Sequence, residues 1–110
     1  MIYEIKITEQ ADADLRSVYE YIAFELLSPE NAARQLERLE KGIFSLEEFP
    51  EKYNLYTKEL WHSRGLRVMP VDNYVIFYIP DDNARTVTVI RVVYGGRDID
   101  TQLNLHTKME

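Results

Sequence analysis

Apolar and polar residues alternate through residues 2–8, IYEIKIT, and this period of two predicts a β-strand with one solvated face. The apolar positions that follow recur at intervals of three and four, which is the spacing of one face of a helix. They form one set at Ala11, Leu15, Val18, Ile22 and Leu26 and a second set at Ala32, Leu36, Leu39, Ile43 and Leu46. The pattern therefore predicts two amphipathic helices that pack as an antiparallel hairpin with a shared apolar face.

Residues at the ends of these two runs have the chemistry of helix boundaries. The hydroxyl oxygen of Thr8 is expected to cap the first helix, and Asp14 is expected to interact favourably with the helix dipole near its start. The second helix is expected to begin with Ser28 as its cap and Pro29 at its first position, where the missing N–H costs nothing. Pro50 is expected to end that helix.

The second half of the chain returns to strand-like patterns after a long connection. Residues 51–63 show no clear period, and we interpret them as a connection held by aromatic anchors at Tyr53, Tyr56 and Trp61. A short terminal helix with Asp98 as its cap is predicted near the end of the chain. Between them, strand-like runs span residues 65–71, 73–80 and 86–94, of which the last is apolar on both faces and therefore typical of a central strand.

The order of these elements is β-α-α-β-β-β, followed by the short C-terminal helix. Such an order predicts an α+β fold in which the helical hairpin packs on a mostly antiparallel sheet. The chain has 110 residues, of which 45% are hydrophobic and 29% charged, and these values are typical of one folded domain over residues 1–110.

Composition also bounds the chemistry and the compartment. The chain has no cysteine, which excludes disulfides and thiolate zinc sites, and the isolated His62 and His106 do not suggest a metal site or any other cofactor. The first residues lack the basic and apolar regions of a secretory signal, and no apolar run is long enough to span a bilayer. We therefore expect a cytoplasmic protein with no membrane partner.

The charge is unevenly distributed along the chain. The net charge is −6, and it belongs entirely to residues 1–50, because acids and bases balance in the rest of the chain. Proteins that bind nucleic acid through many phosphate contacts are usually basic. A local basic surface in the second half nevertheless remains open, with candidate residues at Lys58, Arg64, Arg67, Arg91 and Arg97.

The stretch RVVYGGRDID, residues 91–100, contains most of the candidate chemistry. The last predicted strand ends at Tyr94, two glycines follow, and Arg97 comes next. In a structural interpretation the glycines turn the chain with φ above zero, and Tyr94 only closes the sheet. In a functional interpretation the strand end presents Tyr94 and Arg97 to a target. The sequence alone leaves both interpretations open.

Four stretches, by their order and spacing, resemble the RelE/ParE superfamily of type II toxin–antitoxin toxins, also called plasmid stabilization proteins. They are ITEQADADLRSVYEYI (7–22), GLRVMPV (65–71), NYVIFYI (73–79) and VIRVVYGGRD (89–98). The resemblance covers nearly the whole chain. It implies a RelE-like fold, a growth-inhibiting toxin, and a cognate antitoxin that wraps and neutralises the toxin in a hetero-oligomer.

The superfamily contains two mechanisms, and the resemblance leaves both open. RelE-type members are endoribonucleases that cut mRNA on the ribosome without a metal, whereas ParE-type members poison DNA gyrase and are not nucleases. A nuclease would need an acid, a base and cations on the phosphate, and the catalytic candidates are Tyr94, Arg67 and Arg97. The candidates for target binding are Arg64, Arg67, Arg91, Tyr94 and Arg97.

Departures from the nuclease pattern favour the ParE-type mechanism. Tyr74 or Val75 stands where many nuclease members have an arginine, and Tyr94 stands where many members of both branches have a histidine. The stretch VIFY, residues 75–78, resembles ParE-type members, and the net charge of −6 is unfavourable for docking on ribosomal RNA. Gyrase is therefore the expected target and the ribosome with its mRNA the alternative. A non-toxic module that binds a partner peptide in an apolar groove is a third hypothesis.

Overall fold

A computed structural model describes residues 2–96 and 98–104 of the chain. The strands are β1 (Glu4–Ile7), β2 (Arg67–Val71), β3 (Tyr74–Asp81) and β4 (Thr86–Tyr94), and the α-helices are α1 (Glu9–Glu20), α2 (Pro29–Ser45) and α3 (Ile99–Asn104). A π-helix (Tyr21–Glu25) continues α1, and a single 3₁₀ turn (His62–Arg64) precedes β2. The predicted α+β order, including the short C-terminal helix, is confirmed.

The four strands form one mixed sheet in the order β1-β4-β3-β2. β1 pairs with β4 in parallel, with Ile5 opposite Val87, whereas the other two pairs are antiparallel. β4 therefore lies between β1 and β3, as its apolar pattern predicts. It also extends beyond the end of β1, because the β1 pairing stops at Val89 and β4 continues to Tyr94.

Both faces of the sheet are covered, and each cover contributes a core. The helical hairpin packs on one face, where Leu15, Leu39 and Ile43 meet apolar side chains of the strands. On the opposite face, Trp61 and Leu103 pack against Phe77 and Val93. The hairpin was predicted, but the second layer, made by the connection before β2 and by α3, was not.

The ends of the helices agree with prediction only in part. The Thr8 side chain accepts a hydrogen bond from the Ala11 N–H (3.1 Å), which confirms it as the cap of α1. Ser28 makes no capping bond through its side chain, so that prediction is wrong, although Pro29 does begin α2. The prediction that α2 continues to Pro50 is also wrong, since the helix ends at Ser45 and the chain turns after it.

The tip of the helical hairpin exposes apolar side chains that a regular helix would bury. The wider turn of the π-helix rotates the following residues, and Leu27 then adopts a positive φ of 53°. As a result Leu26, expected in the core from its spacing, is 56% exposed, and Phe24 is exposed beside it. No helix in the described part of the chain is both long and apolar enough to cross a membrane.

Candidate functional site

The end of β4 forms one wall of a surface groove of about 930 Å³. Tyr94 is 47% exposed there, and its ring meets the ring of Tyr74 edge to face with centroids 5.8 Å apart. The opposite wall comes from the hairpin. Its lining includes Ser17, Val18, Tyr21, Ile22, Leu26, Ser28, Asn31 and Gln35. The groove is therefore mainly aromatic, aliphatic and amide in character.

The tyrosines of the groove influence one another electrostatically. The pKa of Tyr74 is raised, first because of its burial and then because of the nearby phenols of Tyr94 and Tyr21. A phenol is already protonated at neutral pH, and the raised pKa extends the uncharged state of the Tyr74 hydroxyl further into alkaline solution. The aromatic wall thus offers uncharged rings and a hydroxyl rather than a charge.

The two glycines after β4 are required for space and not for backbone freedom. Neither Gly95 nor Gly96 has a positive φ, so the predicted turn with φ above zero is wrong. A Cβ on Gly96 would lie 2.5 Å from Cε2 of Tyr94, and a Cβ on Gly95 would lie 3.3 Å from the carbonyl oxygen of Asn73. The glycines allow the tyrosine ring to lie over the chain that follows it.

Arg91 lies inside the molecule and holds a buried ion pair. Its side chain is 10% exposed, and its Nε and Nη2 atoms donate to the Asp14 carboxylate at 2.6 and 3.0 Å. A third donation goes from Nη1 to the backbone oxygen of Gln102 in α3 (2.9 Å). The guanidinium of Arg91 is therefore buried, and its described partners lie inside the molecule. Its role in target binding stays a prediction. Asp14 serves this pair rather than the helix dipole.

The ion pair also completes the edge of β4 beyond the end of β1. The Asp14 carboxylate accepts the backbone N–H of Val92 (2.9 Å), and the Thr8 hydroxyl donates to the carbonyl of Ile90 (3.1 Å). These side chains replace a neighbouring strand, because unpaired backbone groups are costly when they are shielded from water. The groove floor is fixed in this way.

Arg67 is held by the chain that follows α2. Its Nη1 donates to the carbonyl of Tyr53 at 2.6 Å and to that of Glu51 at 3.2 Å. Its Nε is buried and has no hydrogen-bond partner among the described residues. Arg67 does not line the groove, so it and Tyr94 are not brought together as a nuclease site would require.

The remaining predicted cations lie elsewhere or outside the described residues. The Arg64 guanidinium lies over the ring of Trp61, 5.5 Å from its centroid, on the face of the sheet covered by α3. Arg97 and His106 both lie outside the described residues. The Nδ1 atom of His62 lies 2.7 Å from the carbonyl oxygen of Tyr56. Of the predicted site residues that the structure describes, Tyr94 is the one with an exposed side chain on the groove.

The C-terminal helix is docked beside the groove through polar side chains. The Tyr56 hydroxyl donates to Asp100 (2.6 Å), and the Trp61 indole donates to Asn104 (2.9 Å). Burial, followed by the hydrogen bond to Asp100, raises the pKa of Tyr56 well above its usual value. Asp98 caps α3 through the Thr101 N–H (3.3 Å), as predicted.

The sequence of residues 5–99 matches the family model of the ParE toxin of the type II toxin–antitoxin system parDE. The chain belongs to this family. The matched residues extend from β1 to the first residue of α3, so they include the strand end and every lining residue of the groove except Gln102. No curated protein sequence matches the chain closely enough to be counted as a relative.

Solved toxin structures share the fold of this ParE-family chain. The chromosomal ParDE system of P. aeruginosa has a TM-score of 0.69 at 17% identity, and the match covers 84% of this chain and 96% of that one. The toxin–antitoxin complex RelBE2 of Mycobacterium tuberculosis has a TM-score of 0.66 at 22% identity, covering 86% and 99%. A mutant of E. coli RelE in the free state has a TM-score of 0.62 at 18% identity, covering 94% and 90%. The RelE/ParE superfamily fold is thus established.

Sequence reasoning missed several residues that shape this ParE-family groove. Asp14 was expected to interact with the dipole of α1. The signal for its real partner is Arg91, because an arginine inside an apolar strand indicates a buried acid nearby. Tyr21 was not considered at all, because nothing in its spacing reveals a π-helix. Tyr74 entered only as a departure from the nuclease pattern, yet it forms the aromatic wall with Tyr94.

Proposed function

We propose that this type II toxin poisons DNA gyrase in the manner of ParE-type members and is neutralised by a cognate antitoxin. The observation that carries the proposal is the match to the ParE toxin model over residues 5–99. Two solved structures with this fold, RelBE2 of Mycobacterium tuberculosis and RelE–RelB of Pyrococcus horikoshii OT3, are complexes of a toxin with its antitoxin, which supports an antitoxin as the partner. The family match also favours a toxin over a non-toxic binding module.

The positions of the cations support gyrase over RNA as the target. A metal-free nuclease needs cations that hold the scissile phosphate next to an acid and a base. Here the Arg91 guanidinium is buried against Asp14, and Arg67 donates to two backbone carbonyls on another part of the surface. Within residues 2–96 and 98–104, the groove beside Tyr94 is lined mainly by aromatic, aliphatic and amide side chains, and the arginine that lines it, Arg91, is the buried partner of Asp14.

Ribosome-dependent mRNA cleavage remains the second candidate, because Tyr94 is exposed at the strand end where it was predicted. In that mechanism the Tyr94 hydroxyl would act as an acid or a base, and Arg97 would hold the phosphate. Since RelE structures share this fold, the two mechanisms differ in the site and not in the scaffold.

A supercoiling assay with purified toxin, gyrase, ATP and relaxed plasmid tests the proposal. We expect loss of supercoiling together with linear DNA released after denaturation of gyrase, which is the signature of a trapped cleavage complex. Arg97→Ala should weaken both effects at the same toxin concentration. Arg34→Ala is the matched control, because Arg34 is exposed on α2 and does not line the groove.

Normal supercoiling with an active, growth-inhibiting preparation would refute the gyrase proposal. The next assay is then cell-free translation of a reporter mRNA, with cleavage sites mapped by primer extension. Tyr94→Phe keeps the ring against Tyr74 and removes only the hydroxyl. Loss of cleavage in Tyr94→Phe would support acid–base chemistry, whereas full cleavage would contradict it.

A further inference from the structure

The tip of the helical hairpin, residues 20–30, has an exposed apolar surface. Leu27 is 82% exposed, and the rings of Phe24 and Tyr21 are exposed with it. Tyr21 and the exposed Leu26 also line the groove, so the apolar surface of the tip continues the groove wall outward. Apolar patches of a few hundred Å² that stay in contact with water usually mark a site of interaction with another molecule.

The backbone of the tip is fixed in this exposed form. The Leu26 N–H donates to the carbonyl of Tyr21 (3.1 Å), and the Ser28 N–H donates to the carbonyl of Ile22 (3.0 Å). Between them Leu27 has its positive φ, a conformation that is unfavourable for residues other than glycine. The chain thus holds a leucine in a strained conformation while its side chain stays in water. Strain of this kind, like a π-helix, occurs most often at functional sites.

The charges of the tip are all negative. Residues 17–33 contain three acids and no lysine, arginine or histidine. The acids are Glu20, Glu25 and Glu30, and all three are exposed. None of their carboxylates forms an ion pair or a side-chain hydrogen bond with another described residue. The apolar surface therefore lies among acids that are free to bind a cation of another molecule.

The nearest cations along the hairpin leave most of this charge uncompensated. Arg16, one turn before Glu20, is paired with Asp12 at 2.9 Å. Arg34 follows Glu30 by one turn, at a spacing that allows a pair with that carboxylate. Two of the three acids of the tip therefore lack a counter-charge among the described residues of the hairpin. The tip is complementary to a surface that is both apolar and basic.

We propose that the hairpin tip is a docking site for a basic amphipathic helix of a partner protein. The apolar face of that helix would cover Phe24 and Leu27, and its basic side chains would meet the acids of the tip. Removal of the apolar side chains from water supplies affinity, whereas complementary charges chiefly determine specificity and the rate of association. A strand is not the expected occupant, because the backbone groups described above are bonded within the tip and form no strand edge.

The same acids argue against other occupants of the tip. They repel the phosphates of nucleic acids and of anionic lipids, so RNA, DNA and an anionic membrane surface are not expected there. A second copy of the chain would bring two sets of these carboxylates together, which is also unfavourable. The proposal is independent of the gyrase assay, because that assay tests the target of the toxin and the role of Arg97.

Titration of the ¹⁵N-labelled full chain with a model helix, followed by ¹H–¹⁵N correlation spectra, tests the proposal. The probe is a fourteen-residue peptide of leucine and lysine in which the leucines form one face of the helix. Its match is the same peptide with each lysine replaced by glutamate. We expect saturable shifts at the amides of residues 20–30 with the lysine peptide and affinity weaker by about tenfold or more for the glutamate peptide. Added salt should weaken binding of the lysine peptide.

Matched variants separate the tip from the acidic surface in general. Phe24→Ala and Glu25→Gln should each weaken binding of the lysine peptide by about threefold or more without affecting the fold. Phe49→Ala removes a ring of the same exposure and Glu40→Gln removes another exposed carboxylate, both outside the tip, so neither should change the affinity. Absence of saturable shifts, shifts spread over acids outside the tip, or equal losses in the tip and control variants would each overturn the proposal.

Discussion

Asp14 of α1 makes three contacts with β4 through one carboxylate, and its partner Arg91 extends the connection to α3. Asp14 accepts two hydrogen bonds from Arg91 and one from the N–H of Val92, and its side chain is only 17% exposed. Arg91 in turn reaches α3 through the carbonyl of Gln102. Since an unpaired charge in a shielded site is strongly unfavourable, each partner depends on the other.

Asp14→Asn should lower the free energy of unfolding by about 3 kcal/mol, because the Arg91 charge then remains buried without a counter-charge. Urea denaturation followed by far-ultraviolet circular dichroism measures this loss. The matched control is Asp12→Asn, whose exposed pair with Arg16 should contribute no more than about 0.5 kcal/mol. Equal losses in the two variants would contradict a buried role for Asp14.

The sequence identified the unusual arginines of this chain but not what they do. Arg91 interrupts an apolar strand, and that signal is visible without a structure. Its partner lies 77 positions away, so no local pattern pairs them. Arg67 bonds to carbonyls, and backbone groups have no sequence signature at all. Tyr94 was correctly placed at an exposed strand end, whereas Arg97 stays a prediction.

At the level of elements, the two long helices begin in different ways. The hydroxyl of Thr8 both accepts the Ala11 N–H and donates to the carbonyl of Ile90, so it joins the start of α1 to the edge of β4. Ser28 precedes α2 but makes no side-chain hydrogen bond to it, and Pro29 provides the helical φ at its first position. Threonine and serine both favour helix caps, but here only Thr8 caps its helix through its side chain, and Ser28 does not.

Thr8→Ala should cost about 1–2 kcal/mol of stability, the upper end for a cap, because a second hydrogen bond is lost with the first. Ser28→Ala should change stability by only a few tenths of a kcal/mol. Chemical denaturation of the two variants side by side gives the comparison. A larger loss in Ser28→Ala than in Thr8→Ala would show that the capping assignment is incorrect.

Regular elements were predictable here because their apolar residues repeat with a period. The hairpin follows from a period of 3.6 and β1 from a period of two, whereas β4 follows from a run that is apolar on both faces. The π-helix after α1 was not predictable, because its extra residue per turn does not change the spacing of apolar residues in the sequence. Its effect is visible only in the structure, where the residues that follow point outward. Pro50 was expected to end α2 because proline cannot continue a helix, but the helix already ends five residues earlier, at Ser45.

For the whole molecule, the decisive property is that both faces of a four-stranded sheet are buried. The second cover is made by a connection without a clear period and by the six-residue helix α3. Trp61 and Tyr56 were expected as anchors, and both are buried there. The layer itself was not predicted, since its packing depends on single large side chains rather than on a stripe.

The molecule should lose stability in acid through several surface carboxyl groups. Hydrogen bonds from neighbouring side chains hold the pKa values of four exposed carboxyl groups below the ordinary range, as the bond from Arg38 does for Asp72. The four groups are Glu59, Asp72, Asp82 and Asp98. Because the folded pKa values are lower than the unfolded ones, this stability is present above about pH 4 and is lost as the pH falls through the folded values.

Urea denaturation at pH 7, 5 and 3 measures this effect. We expect similar free energies of unfolding at pH 7 and 5 and a lower value at pH 3. Asp72→Asn, which removes one of these groups, should show a smaller decrease between pH 5 and 3 than the unsubstituted chain. An increase in stability toward pH 3 would contradict the direction of the pKa shifts.

The parallel pairing of β1 with β4 has a consequence for the synthesis of the toxin. Glu4 pairs with Thr86, so the sheet joins residues about eighty positions apart. A nascent chain therefore cannot close its sheet until Thr86 has left the ribosome, and it cannot complete the groove until Tyr94 and Gln102 have followed. Non-local closure of this kind is also slow. Every new copy thus passes through a period in which its strands are exposed and no toxin has yet formed.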